Sequence, residues 1–337
     1  LFKSYIPRPG RREYLTIILL VLQVIFFSFF ADNFLSADNL KGIMQNSAEL
    51  AIVSIGMTMV IILGGIDLSV GAVLGIVAIV VGNLIQSGVN PLLVTIIAVA
   101  IGMSLGLING LIIGVMKIPP IIATLATMNI GRAVVFGMLG GHWLAGLPPV
   151  FTPIMTNKIF GIPIVFFIVL LIYTLFYYIF TYRPFGRHLY AIGTNPEAAN
   201  LVGINSVKVK ILSYAISGGI VGIAGIMYVA RMGSVEVSIG LELPLQAIAA
   251  VIIGGTAITG GRGSLVGTLA GVLFITVMKN GIVIFGVPSL WEKAIIGLLI
   301  LISVTIDIVI NKQITRKRAT GTPLGAEELE LEIQRGD

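Results

Sequence analysis

Cysteine is absent from the 337 residues, and histidine occurs only at His142 and His188. Without thiols there is no disulfide scaffold and no Cys-ligated metal. The two histidines fall on opposite sides of the topology derived below, and neither has a carboxylate at ligand spacing, which argues against a metal site. Charge is scarce as well: 11% of residues are Asp, Glu, Lys or Arg, against about 25% in an ordinary soluble domain. So few charges cannot cover a water-facing surface. No Gly-Lys pair occurs anywhere, so the glycine-rich stretch from Gly254 to Ser264 lacks the order of a nucleotide-binding loop. It reads as a turn between helices, and any ATP use belongs to another chain. No set of paired acids, bases and nucleophiles is present, and neither an enzyme nor a cofactor is indicated.

What fills the chain instead is apolar. Hydrophobic residues make up 57%, and the mean hydropathy is +1.05. The solvent for most of this chain is lipid. Apolar runs lie at about 14–31, 47–65, 68–86, 91–116, 121–140, 163–180, 211–231, 243–260, 264–284 and 293–311. Each is near the roughly 20 residues that cross about 30 Å of hydrocarbon. The fold class is therefore all-α, a polytopic membrane bundle of about ten transmembrane helices. Residues 1–13 form a short basic terminus, 14–311 the membrane domain, and 312–337 a basic stop followed by an acidic tail.

The net charge of +6 does not point to nucleic acid, because the basic residues cluster in short loops. Lys117, Arg183, Arg187, Lys208, Lys210, Arg262 and the stop at 312–318 all fall on one side of the alternating topology. Lys and Arg beside spans mark the cytoplasmic face, so both ends are expected inside. The opposite loops carry Asp32, Asp38, Glu236 and Glu242.

The longest polar interval between apolar runs, 182–210, has local structure of its own. Asn195 can cap a helix by accepting first-turn N–H groups, Pro196 suits the first helical position, and Glu197 complements the helix dipole. Ala198 and Ala199 continue the helix, and Gly203 can end it in a left-handed conformation. About two turns do not hold together alone in water. The segment either packs on its own bundle or docks a cytosolic subunit.

Small residues recur at Gly102, Gly106, Gly110 and Gly114, at Gly218, Gly222 and Gly225, and at Gly263, Gly267 and Gly271. Bare stripes of this kind let helices approach closely. Polar groups inside spans face the bundle interior or a pathway. Asn83, Asn109, Thr127, Asn129, Arg132, Gln246, Thr256 and Asn280 are the candidates, and mostly uncharged hydrogen-bonding groups suit a neutral polyol better than an ion. Arg132 either binds a backbone carbonyl or meets the solute. Asp67, in GGIDLSVG, caps the following helix or anchors an inner-face contact. His142 and Trp143 belong to an interfacial belt or to the outer mouth.

Four stretches in this order, GGIDLSVGAVLG, IPPIIATLATMNIGRA, RPFGRHLYAIGTNPEAANLVGI and LPLQAIAAVIIGGTAITGGRGSLVGTLAG, resemble the permease subunits of ribose-type bacterial ABC sugar importers. The loop GGHWLAGLP resembles the branch that includes autoinducer-2 permeases. The resemblance implies an inner-membrane protein without ATPase activity. Its partners would be a second permease copy or relative, two cytosolic ATPases and a periplasmic substrate-binding protein, around a small sugar-like substrate. It places the ATPase coupling segment at Arg183 to Ile204, with Pro196 to Ala199 as the docking helix. The competing expectation is a secondary transporter acting alone.

Overall fold

Backbone polar groups in lipid have no water to bond, so apolar runs close their own hydrogen bonds as helices. The computed structural model describes residues 11–286 continuously and isolated positions from 288 to 305. Its helices are α1 (Arg11–Phe30), α2 (Ala37–Ile62), α3 (Val70–Gln86), α4 (Pro91–Gly114), α5 (Pro120–Leu139), α6 (Thr152–Thr156), α7 (Ile164–Tyr182), α8 (Pro184–Thr194), α9 (Pro196–Leu201), α10 (Ser206–Met232), α11 (Leu243–Ile253) and α12 (Leu265–Ile284). Among the described residues, α1, α2, α4, α5, α7, α10 and α12 are long and apolar enough to cross a membrane. This is the polytopic helical bundle expected from composition. The segment 1–10, most of the tenth expected span and the tail at 312–337 lie outside the described residues.

Burial separates the layers. The apolar window of α2 is 89% buried and that of α10 is 78%, whereas α4, α5 and α7 are at 22% and α1 at 11%. So α2 and α10 form the middle, and α1, α4, α5 and α7 turn long apolar faces outward, as lipid-facing helices do. The most extensive helix contact joins α4 to α10. It follows the glycine stripe: a Cβ on Gly102 would land on the Gly218 carbonyl, and one on Gly106 would land on the Tyr214 carbonyl. A second seam joins α11 to α12, where Gly271 lies against Ala250 and Gly267 against Gly254.

Contacts tie the basic loops to one end of the bundle, here the basic end. Gly114 packs against Val207, and Gly193 packs against Ile62 and Gly261. At the opposite end, the α5–α7 loop folds into α6 and an antiparallel hairpin, β1 (Lys158–Ile159) with β2 (Ile162–Pro163). It is pinned by the Leu144–Val235 bridge and by Gln45 Nε2, which donates to Met155 O at 2.7 Å.

Two expected spans differ from simple crossings. The run at 243–260 is helical only to Ile253, and 254–264 is irregular, with Gly255, Gly260 and Gly261 at φ of +92°, +86° and +73°. At 11 residues, α11 rises about 16 Å, roughly half of the hydrocarbon thickness. Of the external loop expected at 232–242, Met232 still belongs to α10, and 233–242 runs inward to meet α11. Gly240 there lies against Gly71, at the start of α3. The α2 helix starts at Ala37, ten residues before its expected span.

Candidate functional site

The interval between α7 and α10 folds into two short helices on the basic end. Pro184 opens α8, with Arg183 extended before it at φ −94° and ψ 151°. Gly186 allows the turn to sit on the Phe180 backbone, where a Cβ would clash. Leu189 and Ile192 are buried under α8. Asn195 then caps α9, its Oδ1 accepting from Ala198 N at 2.9 Å. Pro196 and Glu197 occupy the first turn, and Gly203 follows at φ +85°. The helix expected from the sequence is thus present, with Val202 as its C-cap. Asn200 Oδ1 accepts from Ser206 Oγ at 2.7 Å, which ties α9 to the start of α10.

An open groove of about 450 Å³ lies between α8 and α9, floored by Ala191, Ala198 and Ala199. Beside it, Leu201 is 89% exposed and Val202 75%. These two apolar side chains stand on the basic end, among polar and charged neighbours. Arg183 stacks over the Tyr178 ring at 5.1 Å from its centroid, and Arg187 is exposed on α8. We expect Asn195→Ala to remove about 1 kcal/mol from α9, read as faster amide hydrogen exchange at Ala198 and Ala199. Unchanged exchange there would show that the cap is dispensable.

Under this end, the break between α2 and α3 holds a buried polar cluster. Asp67 Oδ1 accepts from Ser69 N at 2.9 Å and from Ser69 Oγ at 2.6 Å. Ser69 Oγ accepts from Asn109 Nδ2 at 2.8 Å. Thr124 Oγ1 donates to Ile66 O at 3.1 Å. Asp67 therefore organises the turn just before α3 and links it through Ser69 to α4. The Asn109 Oδ1 and Tyr214 hydroxyl atoms are buried there without a partner.

The other pathway candidates are scattered. Arg132 donates from Nη1 to Ile239 O, which anchors the inward-running segment 233–242. Thr127 Oγ1 bonds Thr124 O at 3.3 Å, and exposed Asn129 bonds Leu125 O at 3.0 Å on the same helix. Gln246 Nε2 donates to Glu242 Oε2 at 3.2 Å, and the buried Thr256 hydroxyl has no partner. Asn280 pairs reciprocally with Asn39, at 3.0 and 2.7 Å, and clamps α12 to α2. Asn83 is exposed at the far end of α3, and His142 and Trp143 are exposed on the α5–α7 loop.

Sequence reasoning missed one strong feature. Arg231 Nε donates to Glu49 Oε1 at 2.8 Å and Nη2 to Glu49 Oε2 at 2.9 Å, a two-pronged pair between α10 and α2. The signal was available: Glu49 is a lone carboxylate near the start of an apolar run, and Arg231 a lone cation at the end of another.

This architecture belongs to membrane permeases. Residues 39–304 match the family described as branched-chain amino acid transport system / permease component, and the chain is a member of it: a transport subunit rather than an enzyme. It is similar to the ribose import permease protein RbsC of Bacillus subtilis (strain 168), with 39% identity over 290 residues, 86% of this chain and 90% of the relative. The ribose import permease RbsC of Escherichia coli (strain K12) is 33% identical over 315 residues, 90% of this chain and 96% of the relative. The autoinducer 2 import system permease protein LsrC of Salmonella typhi is 29% identical over 292 residues, 87% and 84% respectively. No solved structure matches the chain.

Proposed function

We propose that the chain is the transmembrane permease subunit of an ATP-binding-cassette importer in a bacterial inner membrane. It carries a monosaccharide, or an autoinducer-2-like small polyol, into the cytoplasm. The basic end is the cytoplasmic face. There, α8 and α9 receive one of two ATPase subunits, with Arg183, Arg187 and Glu197 at the rim. A second permease, identical or related, completes the path, and a periplasmic substrate-binding protein delivers solute near His142 and Trp143. The names of the relatives support a sugar-like cargo. Asn109, whose Oδ1 is buried without a partner on α4, supplies an uncharged hydrogen-bonding group that suits a polyol.

One observation carries the reading: a capped two-turn helix with Leu201 and Val202 exposed beside an open groove on the basic end. Burying a side chain of that size gains roughly 1.5–3 kcal/mol. Leu201→Asp with Val202→Asp should therefore weaken capture of the cognate ATPase by roughly tenfold or more. The check is co-purification from membranes and uptake in proteoliposomes. Undiminished capture would overturn Leu201 and Val202 as the docking contact, whereas uptake driven by an ion gradient with no ATPase present would support a transporter that works alone.

A further inference from the structure

The α8 helix does more than border the groove. Its inner side is locked to two turns that come from different parts of the chain. Gly261 N donates to Ile62 O at 2.8 Å, so the end of α2 and the α11–α12 turn are already joined to each other. Gly193 of α8 seats on that joint, because a Cβ there would strike Ile62 O and Gly261 N. Gly260 approaches the same place, and its own Cβ would lie 2.9 Å from Gly64 N and 3.1 Å from Gly193 O. A Cβ on Gly261 would meet Thr194 at 2.6 Å. Finally, Tyr190 Oη donates to Gly263 O at 2.9 Å. Glycines at three facing positions bring three backbones together with no side chains between them. Backbone cannot yield as a flexible side chain can.

We infer that Tyr190, Gly193, Gly260 and Gly261 form the transmission joint of the permease, a rigid seat through which displacement of α8 moves the α2–α3 break and the α11–α12 turn as one body. Tyr190 is a positioning residue in this joint and touches no solute. The joint rests on the reading of α8 and α9 as the ATPase dock, but it makes a separate claim about what lies behind the dock. Three features support that claim. The α2–α3 break leads straight to the Asp67, Ser69 and Asn109 chain, so a push on Ile62 reaches α4. The α11–α12 turn leads into the half-length α11. Burial raises the Tyr190 phenol to about 12, assisted by the negative charge of Glu13, so the donor keeps its proton at neutral pH.

The test uses the complete complex of permease, ATPase and binding protein in lipid nanodiscs and proteoliposomes. Because the chain has no cysteine, the purified chain takes spin labels only at introduced sites, before the unlabelled partner subunits are added. Two pairs are compared, His188→Cys with Thr259→Cys across the joint, and His188→Cys with Lys117→Cys across the bundle. Between the nucleotide-free and the ATP–vanadate-trapped states, the first distance should stay constant and the second should change. Tyr190→Phe, which deletes only the donor, should lower ribose or autoinducer-2 uptake per ATP hydrolysed roughly fivefold. Gly193→Ala should lower it further by wedging the seat.

A first-pair distance that changes between the two states would overturn the joint. So would Tyr190→Phe with the parent ratio of uptake to hydrolysis. Failure of the unmutated chain to recruit any ATPase is a different result, and it would overturn the proposed function instead.

Discussion

Arg231→Met is expected to destabilise the bundle by about 3 kcal/mol, because it strips the buried Glu49 carboxylate of both its hydrogen bonds and leaves it only the attraction of Lys279. Glu49 is 7% exposed, and Arg231 meets both of its oxygens. Nη1 of the same guanidinium reaches Asn46 Oδ1 at 3.4 Å. The two-pronged geometry is the strong form of this interaction. Taking both charges away is a different matter. Glu49→Leu together with Arg231→Met should recover most of the loss, because a buried ion pair contributes little net stability over an apolar pair of similar volume. The measurement is the unfolding midpoint of the purified chain in mild detergent titrated with SDS. Arg231→Met with the parent midpoint would mean that Glu49 is neutral or reached by water, and that the pair does not hold α2 to α10.

The second large effect concerns the α4–α10 seam. Gly106→Leu should cost about 3 kcal/mol, because the added side chain falls on the Tyr214 carbonyl and the helices have to part. Gly137→Leu, on α5, is the matched control. Nothing lies within 4 Å of a Cβ at Gly137, so the change there should stay within about 0.5 kcal/mol. Similar losses at both positions in the same detergent titration would show that the seam tolerates separation and that glycine serves only helix insertion.

The two faces of that seam were readable before any coordinates, but not that they meet each other. A residue without a side chain every fourth position defines one helix face, and the small positions Gly218 and Gly222 on α10 supply its mate. The α9 helix was equally readable, because Asn195, Pro196 and Gly203 act on their own neighbours. Pairing across distance was not. Glu49 and Arg231 are 182 residues apart, and Asn39 and Asn280 are 241 apart. Each looks like an isolated polar group until the helices are assembled. Asn280, read as a pathway residue from its type and position, turns out to face a second carboxamide.

The α8 helix escaped for another reason. Its basic residues made it look like loop, while the buried Leu189 and Ile192 that hold it down sit among polar neighbours. The length of the expected span at 243–260 was also misleading. Hydropathy does not register that Gly255, Gly260 and Gly261 take conformations that end a helix. A hydropathy count and a backbone conformation are separate quantities, and the second decided where α11 stops.

The short reach of α11 has a consequence for biogenesis. Eleven residues are too few to be taken up by the insertion machinery as an independent unit. The irregular stretches before and after it expose peptide groups that lipid would not accept. The region from 233 to 264 must therefore stay in contact with water or with the machinery until α12 has emerged from the ribosome. Only then can Gly267 and Gly271 close on α11 and shield it, so the stretch from 233 to 284 enters as a package rather than helix by helix.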